Sequence, residues 1–439
     1  MQTLQQLLSG ELKGTKHLKL SCGLTSFPKE IFELADTLEV LDLSRNQLTE
    51  LPEDFHRLKH LSIVFFSDNN FTIFPEVLGK CEKLDIIGFK ANKIEHISES
   101  AIPENTRWLI LTNNKINVLP TSIGKCWRMQ KLMLAGNKLQ TLPETLSNCK
   151  NLGLLRISAN KITAFPTWLL TMPKLSWLAF AGNPFSQKKL NAEELTDIVW
   201  EELEIAYQLG EGASGLISMA KWRNNVNEHE NVAVKVFKGE VTSDGLPADE
   251  MNASIASGTH PNIVKVLGKI TKHPNQKQGL VLKLIPEGYK NLGGPPSFAT
   301  CTRDIFPQEI YFSLHTVLKI SLAIADAAAH LHSRGIMHGD LYAHNILVDD
   351  SAHALFGDFG AASIYTNLDT ATVLALEKIE VSAFGCLLED LLNNIEPTEK
   401  DQKAVKELWK LKDECMQPAV FTRPLFVTIV EKIKSIILI

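Results

Sequence analysis

Ile336-Met337-His338-Gly339-Asp340-Leu341-Tyr342-Ala343-His344-Asn345-Ile346-Leu347-Val348, with Asp358-Phe359-Gly360 downstream, sets one Asp five residues before an Asn and a second Asp thirteen residues after it. Phosphoryl transfer needs such a set. One carboxylate orients the attacking hydroxyl, while an Asn and another carboxylate hold Mg²⁺ against nucleotide phosphates. Asp340 is the candidate for the first role, and Asn345 and Asp358 are the candidate metal ligands.

Working upstream, Gly210-Glu211-Gly212-Ala213-Ser214-Gly215-Leu216-Ile217 has the glycine spacing of a phosphate-covering loop. Glycines let the backbone approach phosphates and aim its N–H groups at them. A dinucleotide-binding fold uses the same spacing but needs a helix next. Here Val232-Ala233-Val234-Lys235-Val236-Phe237 follows, which alternates as a strand.

Taken in order, these segments resemble the eukaryotic-type protein kinases. Residues 232–235 are similar to the family's Val-Ala-Ile-Lys strand, and residues 336–348 to its catalytic loop. The resemblance implies ATP and Mg²⁺ as cofactors. It implies that Lys235 grips the α/β-phosphates and that Leu209, Gly210, Gly212, Gly215, Ile217 and Ala233 surround the nucleotide with it. A helical carboxylate should orient Lys235. Glu250, ten residues before His260-Pro261-Asn262-Ile263-Val264, is assigned that role, with Asp249 and Glu240 as competitors. Ser254 stands where kinases usually bury an apolar residue. Leu280-Val281-Leu282-Lys283-Leu284 reads as the strand leading into the hinge that reads adenine.

The loop departs from the family twice. Gly339 replaces an Arg that usually receives the phosphate of a phosphorylated activation segment, and Tyr342 replaces a Lys that contacts the γ-phosphate. His-Gly-Asp is also how aminoglycoside- and choline-kinase-type phosphotransferases write this loop. Ala375-Leu376-Glu377 resembles Ala-Pro-Glu, and Arg423 sits where the family keeps the Arg that pairs with that Glu. Val381-Ser382-Ala383-Phe384-Gly385 resembles the start of the following helix, with Glu380 for the usual Asp. Thr370 stands where Ser/Thr kinases keep a Thr near the catalytic Asp, which points to Ser/Thr specificity.

The N-terminal portion repeats. Leu38-Glu39-Val40-Leu41-Asp42-Leu43-Ser44-Arg45-Asn46-Gln47-Leu48 recurs in pattern from residues 61, 84, 106, 129, 152 and 175, at steps of 22 or 23 residues. The ninth position is always Asn: Asn46, Asn69, Asn92, Asn114, Asn137, Asn160 and Asn183. This is the leucine-rich repeat. Each copy is a strand and a return that cannot bury its own apolar face, and stacking builds one continuous core. An inward Asn can satisfy backbone groups of the turn. Residues 1–37 hold an irregular copy that caps the end. The third and fifth positions of each copy alternate outward onto the concave face. There Phe65, Trp108, Ile110, Met133, Leu154 and Trp177 form an apolar stripe, expected to receive a protein partner or the chain's own kinase domain, with Trp108 and Trp177 as anchors.

At 439 residues, 44% apolar and 22% charged, the chain has the composition of a globular multidomain protein. The expected division is repeats over 1–185, a short linker over 186–202 that begins with a polar, helix-forming stretch to about Thr196, and a kinase domain over 203–439. A net charge of −5 gives no reason to expect nucleic acid or an anionic membrane as partner. No basic segment followed by an apolar run opens the chain, and no apolar run approaches the ~18 residues of a membrane span. Seven cysteines without metal-site spacing fit a reducing, cytoplasmic compartment. The fold class is therefore multidomain, an α/β leucine-rich-repeat solenoid followed by a two-lobed α+β protein-kinase fold. The expected function is Ser/Thr protein phosphorylation on a protein substrate. A pseudokinase scaffold and a small-molecule phosphotransferase are the alternatives.

Overall fold

The computed structural model describes residues 2–186, 195–212, 214–223, 229–239 and 241–438. Its packing divides the chain into two units, Met1–Met172 with Asn183–Phe185, and Pro173–Gly182 with Ser186–Ile439.

In the first unit, helix α1 (Leu4–Leu8) is capped by a reciprocal Thr3–Gln6 box. Seven short strands follow: β1 (His17–Lys19), β2 (Val40–Asp42), β3 (Ile63–Phe65), β4 (Ile86–Gly88), β5 (Trp108–Ile110), β6 (Lys131–Met133) and β7 (Leu154–Arg156). Each pairs in parallel with the next, in sequence order. The central residue of each strand is buried, as in Leu41, Val64 and Leu109. The returns are single 3₁₀ turns that open after Pro75, Pro120, Pro143 and Pro166.

The Asn ladder ties copy to copy. The Asn114 amide donates to the carbonyls of Phe89 at 2.9 Å and Leu111 at 3.0 Å, and its oxygen accepts from Ile94 N–H at 3.0 Å. Asn69, Asn92, Asn137 and Asn160 make the same bonds one copy earlier or later. Cys126 and Cys149, equivalent in the repeat, point thiols at the carbonyls of Pro103 and Ile123. Burial pushes these thiols up to about 12 and about 11, so they are inert apolar filling.

The apolar stripe is only partly open. Phe65, Trp108 and Ile110 are half-buried, and the Lys131 ammonium lies 4.3 Å over the Trp108 ring. Met133, Leu154 and Trp177 are buried, which corrects the expectation of six outward side chains.

The second unit opens with β8 (Trp177–Ala179), the last copy of the repeat, which packs with this unit. Next come β9 (Thr196–Val199), β10 (Leu203–Glu211), β11 (Gly215–Arg223), β12 (His229–Phe237), helix α2 (Pro247–Ala256), β13 (Val266–Thr271) and β14 (Gly279–Lys283). They form a sheet in the order β10-β11-β12-β14-β13-β9. The expected linker is thus part of the sheet. Its segment β9 runs parallel to β13, because Ile198 buries fully among Leu203, Ala220, Val232, Ile270 and Val281. Of the stretch read as helix-forming, residues 187–194 lie outside the described residues, as do Ala213 and Glu240.

The helical lobe carries β15 (Lys290–Asn291), α3 (Leu314–Ser333), β16 (Ile336–Met337), β17 (Ile346–Val348), β18 (Ala354–Phe356), β19 (Ser363–Ile364), α4 (Thr370–Asn393), α5 (Lys403–Cys415) and α6 (Phe426–Ile437). Helix α3 is long and apolar because it is a core helix, burying Val317, Ile320, Ile324, Ala328 and Leu331. Ser313 and Asp369 cap α3 and α4 with their side chains. Helix α4 runs unbroken through Ala375-Leu376-Glu377 and Val381–Gly385, which the sequence suggested were separate segments. The family's Pro would break a helix at 376. Leu376 continues it and is fully buried.

Candidate active site

The glycine-rich turn joins β10 to β11 and closes with Gly212 N–H donating to the Gly215 carbonyl at 2.9 Å. A Cβ at Gly210 or Gly212 would meet nothing within 4 Å, whereas one at Gly215 would lie 2.7 Å from the Val236 carbonyl. Gly215 is therefore demanded by the close approach of β12, whereas the fold leaves room for a side chain at Gly210 and Gly212. Register puts Lys235 opposite Ile217 on one side and Leu280 on the other. Its ammonium is ion-paired and hydrogen-bonded to Glu250 on α2, and both side chains are largely buried. Burial raises the Glu250 carboxyl above its ordinary value, with Lys235 opposing and the Asp358 charge adding to the rise. Of the competitors for Lys235, Asp249 makes no such pair, and Glu240 lies outside the described residues. Ser254 is tolerated inside the helix because its hydroxyl returns to the Glu250 carbonyl at 2.8 Å.

The loop after β16 is held by its backbone. The Glu380 carboxylate, on α4, accepts from His338 N–H at 3.1 Å and Gly339 N–H at 2.6 Å. The His338 ring stacks on Phe356 with centroids 3.8 Å apart. One ring nitrogen donates to the Gly357 carbonyl at 2.9 Å, and the other accepts from Asp340 N–H at 3.3 Å, which assigns the Nε2–H tautomer. Asn345 donates to Asp340 twice, at 3.0 Å to its carbonyl and 2.8 Å to its carboxylate. The neighbouring His344 ring contacts Asp304 at 2.7 Å. Asp358 sits in the left-handed region at φ 55°, with its carboxylate accepting from Gly360 N–H at 3.3 Å. A non-glycine residue there is a strained position of the kind that clusters at functional sites.

These elements face a cavity of about 640 Å³. Leu209, Gly212, Gly215, Ile217, Ala233, Lys235, Glu250, Asn345 and Asp358 line it, while Gly210 and Asp340 lie outside its wall. Sequence reading missed Val264, Val266, Leu347 and Phe359, which complete the apolar walls with Leu280 and Leu282. Val266 and Leu347 gave only strand alternation as a signal and Phe359 lay inside the Asp-Phe-Gly motif, neither of which reveals which face meets a cavity.

The expected Arg423–Glu377 pair does not form. Arg423 gives its guanidinium to the carbonyls of Gln417, Lys378 and Pro173, while Glu377 accepts from Phe426 N–H at 2.8 Å. With 376–377 inside a helix, Lys378 presents a carbonyl to Arg423 in place of the carboxylate. Thr370 lies in the exposed first turn of α4.

Residues 203–384 match the family described as protein tyrosine and serine/threonine kinase, and residues 37–58 match the leucine rich repeat. The "Probable serine/threonine-protein kinase gdt4" of Dictyostelium discoideum is 31% identical over 188 residues, 42% of this chain and 10% of that protein. The "Probable serine/threonine-protein kinase kinY" of the same organism is 30% identical over 191 residues, 40% of this chain and 31% of that protein. The "Tyrosine-protein kinase receptor TYRO3" of Danio rerio is 24% identical over 201 residues, 45% of this chain and 22% of that protein. Each match thus covers less than a third of the relative's length. Two parts of the chain thus match known families, residues 37–58 the leucine-rich repeat and residues 203–384 the protein kinase domain.

Proposed function

We propose that this chain is an active protein kinase that transfers phosphate from ATP to Ser or Thr hydroxyls of proteins. The observation that carries the reading is one cavity wall bearing the Lys235–Glu250 pair, Asn345 and Asp358, with Asp340 hydrogen-bonded to Asn345 beside it. Asp340 would orient the acceptor hydroxyl. Lys235, steadied by Glu250, would position the α/β-phosphates, and the apolar walls suit a planar heterocycle. Mg²⁺ fits the donor set. Both Asn345 N–H contacts go to Asp340, which leaves the amide oxygen for a hard cation, and Asp358 adds a carboxylate. Among the described residues no cluster of three or more His, Cys, Asp or Glu forms a metal cage, so phosphates and water would complete the shell. When bound, the cation would neutralise phosphate charge.

The presence of Lys235, Glu250, Asp340, Asn345 and Asp358, four of them lining one cavity, supports catalysis over a scaffold role. The names of gdt4 and kinY support Ser/Thr specificity, whereas that of TYRO3 keeps tyrosine in play. Incubation of purified protein with labelled ATP, Mg²⁺ and a generic protein acceptor tests the reading. We expect phosphoserine or phosphothreonine, and Asp340→Asn or Asp358→Ala should lower the rate by at least ~100-fold. Binding of ATP without turnover, or variants that match wild type, would overturn it. Phosphate on a small acceptor alone would favour the small-molecule phosphotransferases.

The repeats would recognise a protein through the half-buried Phe65, Trp108 and Ile110. Trp108→Ala should weaken capture of that partner, and unchanged capture would move the search to the convex face. The seven free thiols support a reducing, cytoplasmic setting, which cell fractionation would check.

A further inference from the structure

The two departures of the catalytic loop from its family, Gly339 and Tyr342, meet one and the same segment, Pro173–Gly182. The Trp177 indole lies flat on the Tyr342 ring, with centroids 4.4 Å apart and planes 5° from parallel. Its Nε1–H donates to the Leu341 carbonyl at 3.0 Å. On the other side of Asp340, Gly339 takes φ +74°, and a Cβ there would lie 2.6 Å from the Leu178 carbonyl and 2.8 Å from the Ala361 carbonyl. No other residue fits that space, so the usual Arg is excluded by the backbone that packs there. The N–H groups of Phe180 and Ala181 both donate to the Ser363 hydroxyl oxygen, at 2.9 and 3.1 Å. Arg423 anchors the near end of the segment through the Pro173 carbonyl at 2.7 Å.

We propose that Trp177 is a positioning residue for the catalytic loop, holding Asp340 through Leu341 and Tyr342. The proposal rests on the kinase reading above. Asp340 is flanked on both sides by residues that Trp177 and Leu178 touch, which holds its backbone, and Asn345 holds its carboxylate. Where position 339 carries an Arg, a phosphorylated segment can order the loop through it. Here a segment of the same chain supplies the order without phosphate. Trp177, Ala179 and Phe180 are buried. That burial marks a standing part of the packing, unlike a plug that must leave before substrate enters.

The test uses the full chain with Trp177→Ala and Trp177→Phe. It measures kcat and KM for a protein acceptor, MgATP affinity, and amide hydrogen exchange over residues 336–346. Trp177→Ala should lower kcat by about 10- to 100-fold, as a misplaced catalytic group does, with MgATP affinity within about twofold of wild type. The loop amides should exchange at least ~10-fold faster in the variant. Trp177→Phe keeps an aromatic face, loses the Leu341 bond, and should fall between the two. If circular dichroism shows that Trp177→Ala does not fold, Trp177→Phe decides, and a kcat equal to wild type overturns the proposal. An unchanged kcat in folded Trp177→Ala overturns it, as does a raised kcat, which would make the segment an inhibitor. If wild type binds MgATP without turnover, the kinase reading fails. The exchange measurement then decides the positioning claim by itself, faster exchange in the variant supporting it and unchanged exchange overturning it.

Discussion

Glu380 shows what one methylene does. It stands where the family keeps Asp, and its fully buried carboxylate accepts from two loop amides and from the His332 ring at 2.7 Å. Burial by itself pushes this carboxyl up, but the hydrogen bond and charge of His332, with His338 and Gly339 N–H behind them, hold it below its ordinary value. A depressed folded value means that the stability it contributes is present above the unfolded value of 4.5 and is lost as pH falls through the lower folded one. Glu380→Gln turns amide hydrogens toward donors and leaves the pairing incomplete, so a cost of about 3 kcal/mol is expected. Urea unfolding at neutral pH and at pH 4 checks both points. A variant as stable as wild type at neutral pH, or an unchanged acid limb, would refute the assignment.

Among the elements, the repeat returns carry their own test. Asn114 bonds backbone groups of its own copy and of the one before, among them the buried Ile94 N–H. Asn114→Ala leaves the buried Ile94 N–H unpaired, while the Phe89 and Leu111 carbonyls keep the amides of Asn92 and Asn137. At about 1–3 kcal/mol for one buried unpaired group, a loss of that size is expected, seen as a fall in the Tm of the repeat unit. A Tm within error of wild type would mean that water or a shifted turn satisfies the ladder. Helix α4 and strand β9 make the complementary point. Both depart from the sequence reading because burial of Leu376 and Ile198 overrides a boundary drawn by motif or by polarity.

For the whole molecule, charge bears on how the proposed kinase would be regulated. Residues 361–376 hold no Lys or Arg, position 339 is Gly, and Ser363 is fully buried. Phosphate on the exposed Thr366 or Thr370 has no basic partner within its own segment. Phosphatase treatment should therefore leave kinase activity within about twofold of the untreated enzyme. A collapse in activity would identify some other basic residue as the acceptor of that phosphate.

Seven copies of an 11-residue pattern, and an Asp, Asn and Asp at fixed spacing after a glycine turn and a Val-Ala-Val-Lys strand, were enough to read both folds and the candidate site from the sequence. Those features are legible because each is local. A repeat states its own period, and a phosphate loop needs particular residues at particular steps. The partner of Lys235 was legible only as a choice among carboxylates, since register decides which helical side chain meets a strand. The failed Arg423–Glu377 pair, the extra strand β9 and the remaining cavity walls were not legible, and Trp177, legible as an anchor, gave no sign of its seat on Tyr342. That contact joins residues 165 positions apart, and nothing local in either segment encodes the other. Only the folded backbone, with the Leu178 carbonyl where a side chain at 339 would go, explains why this loop reads His-Gly-Asp.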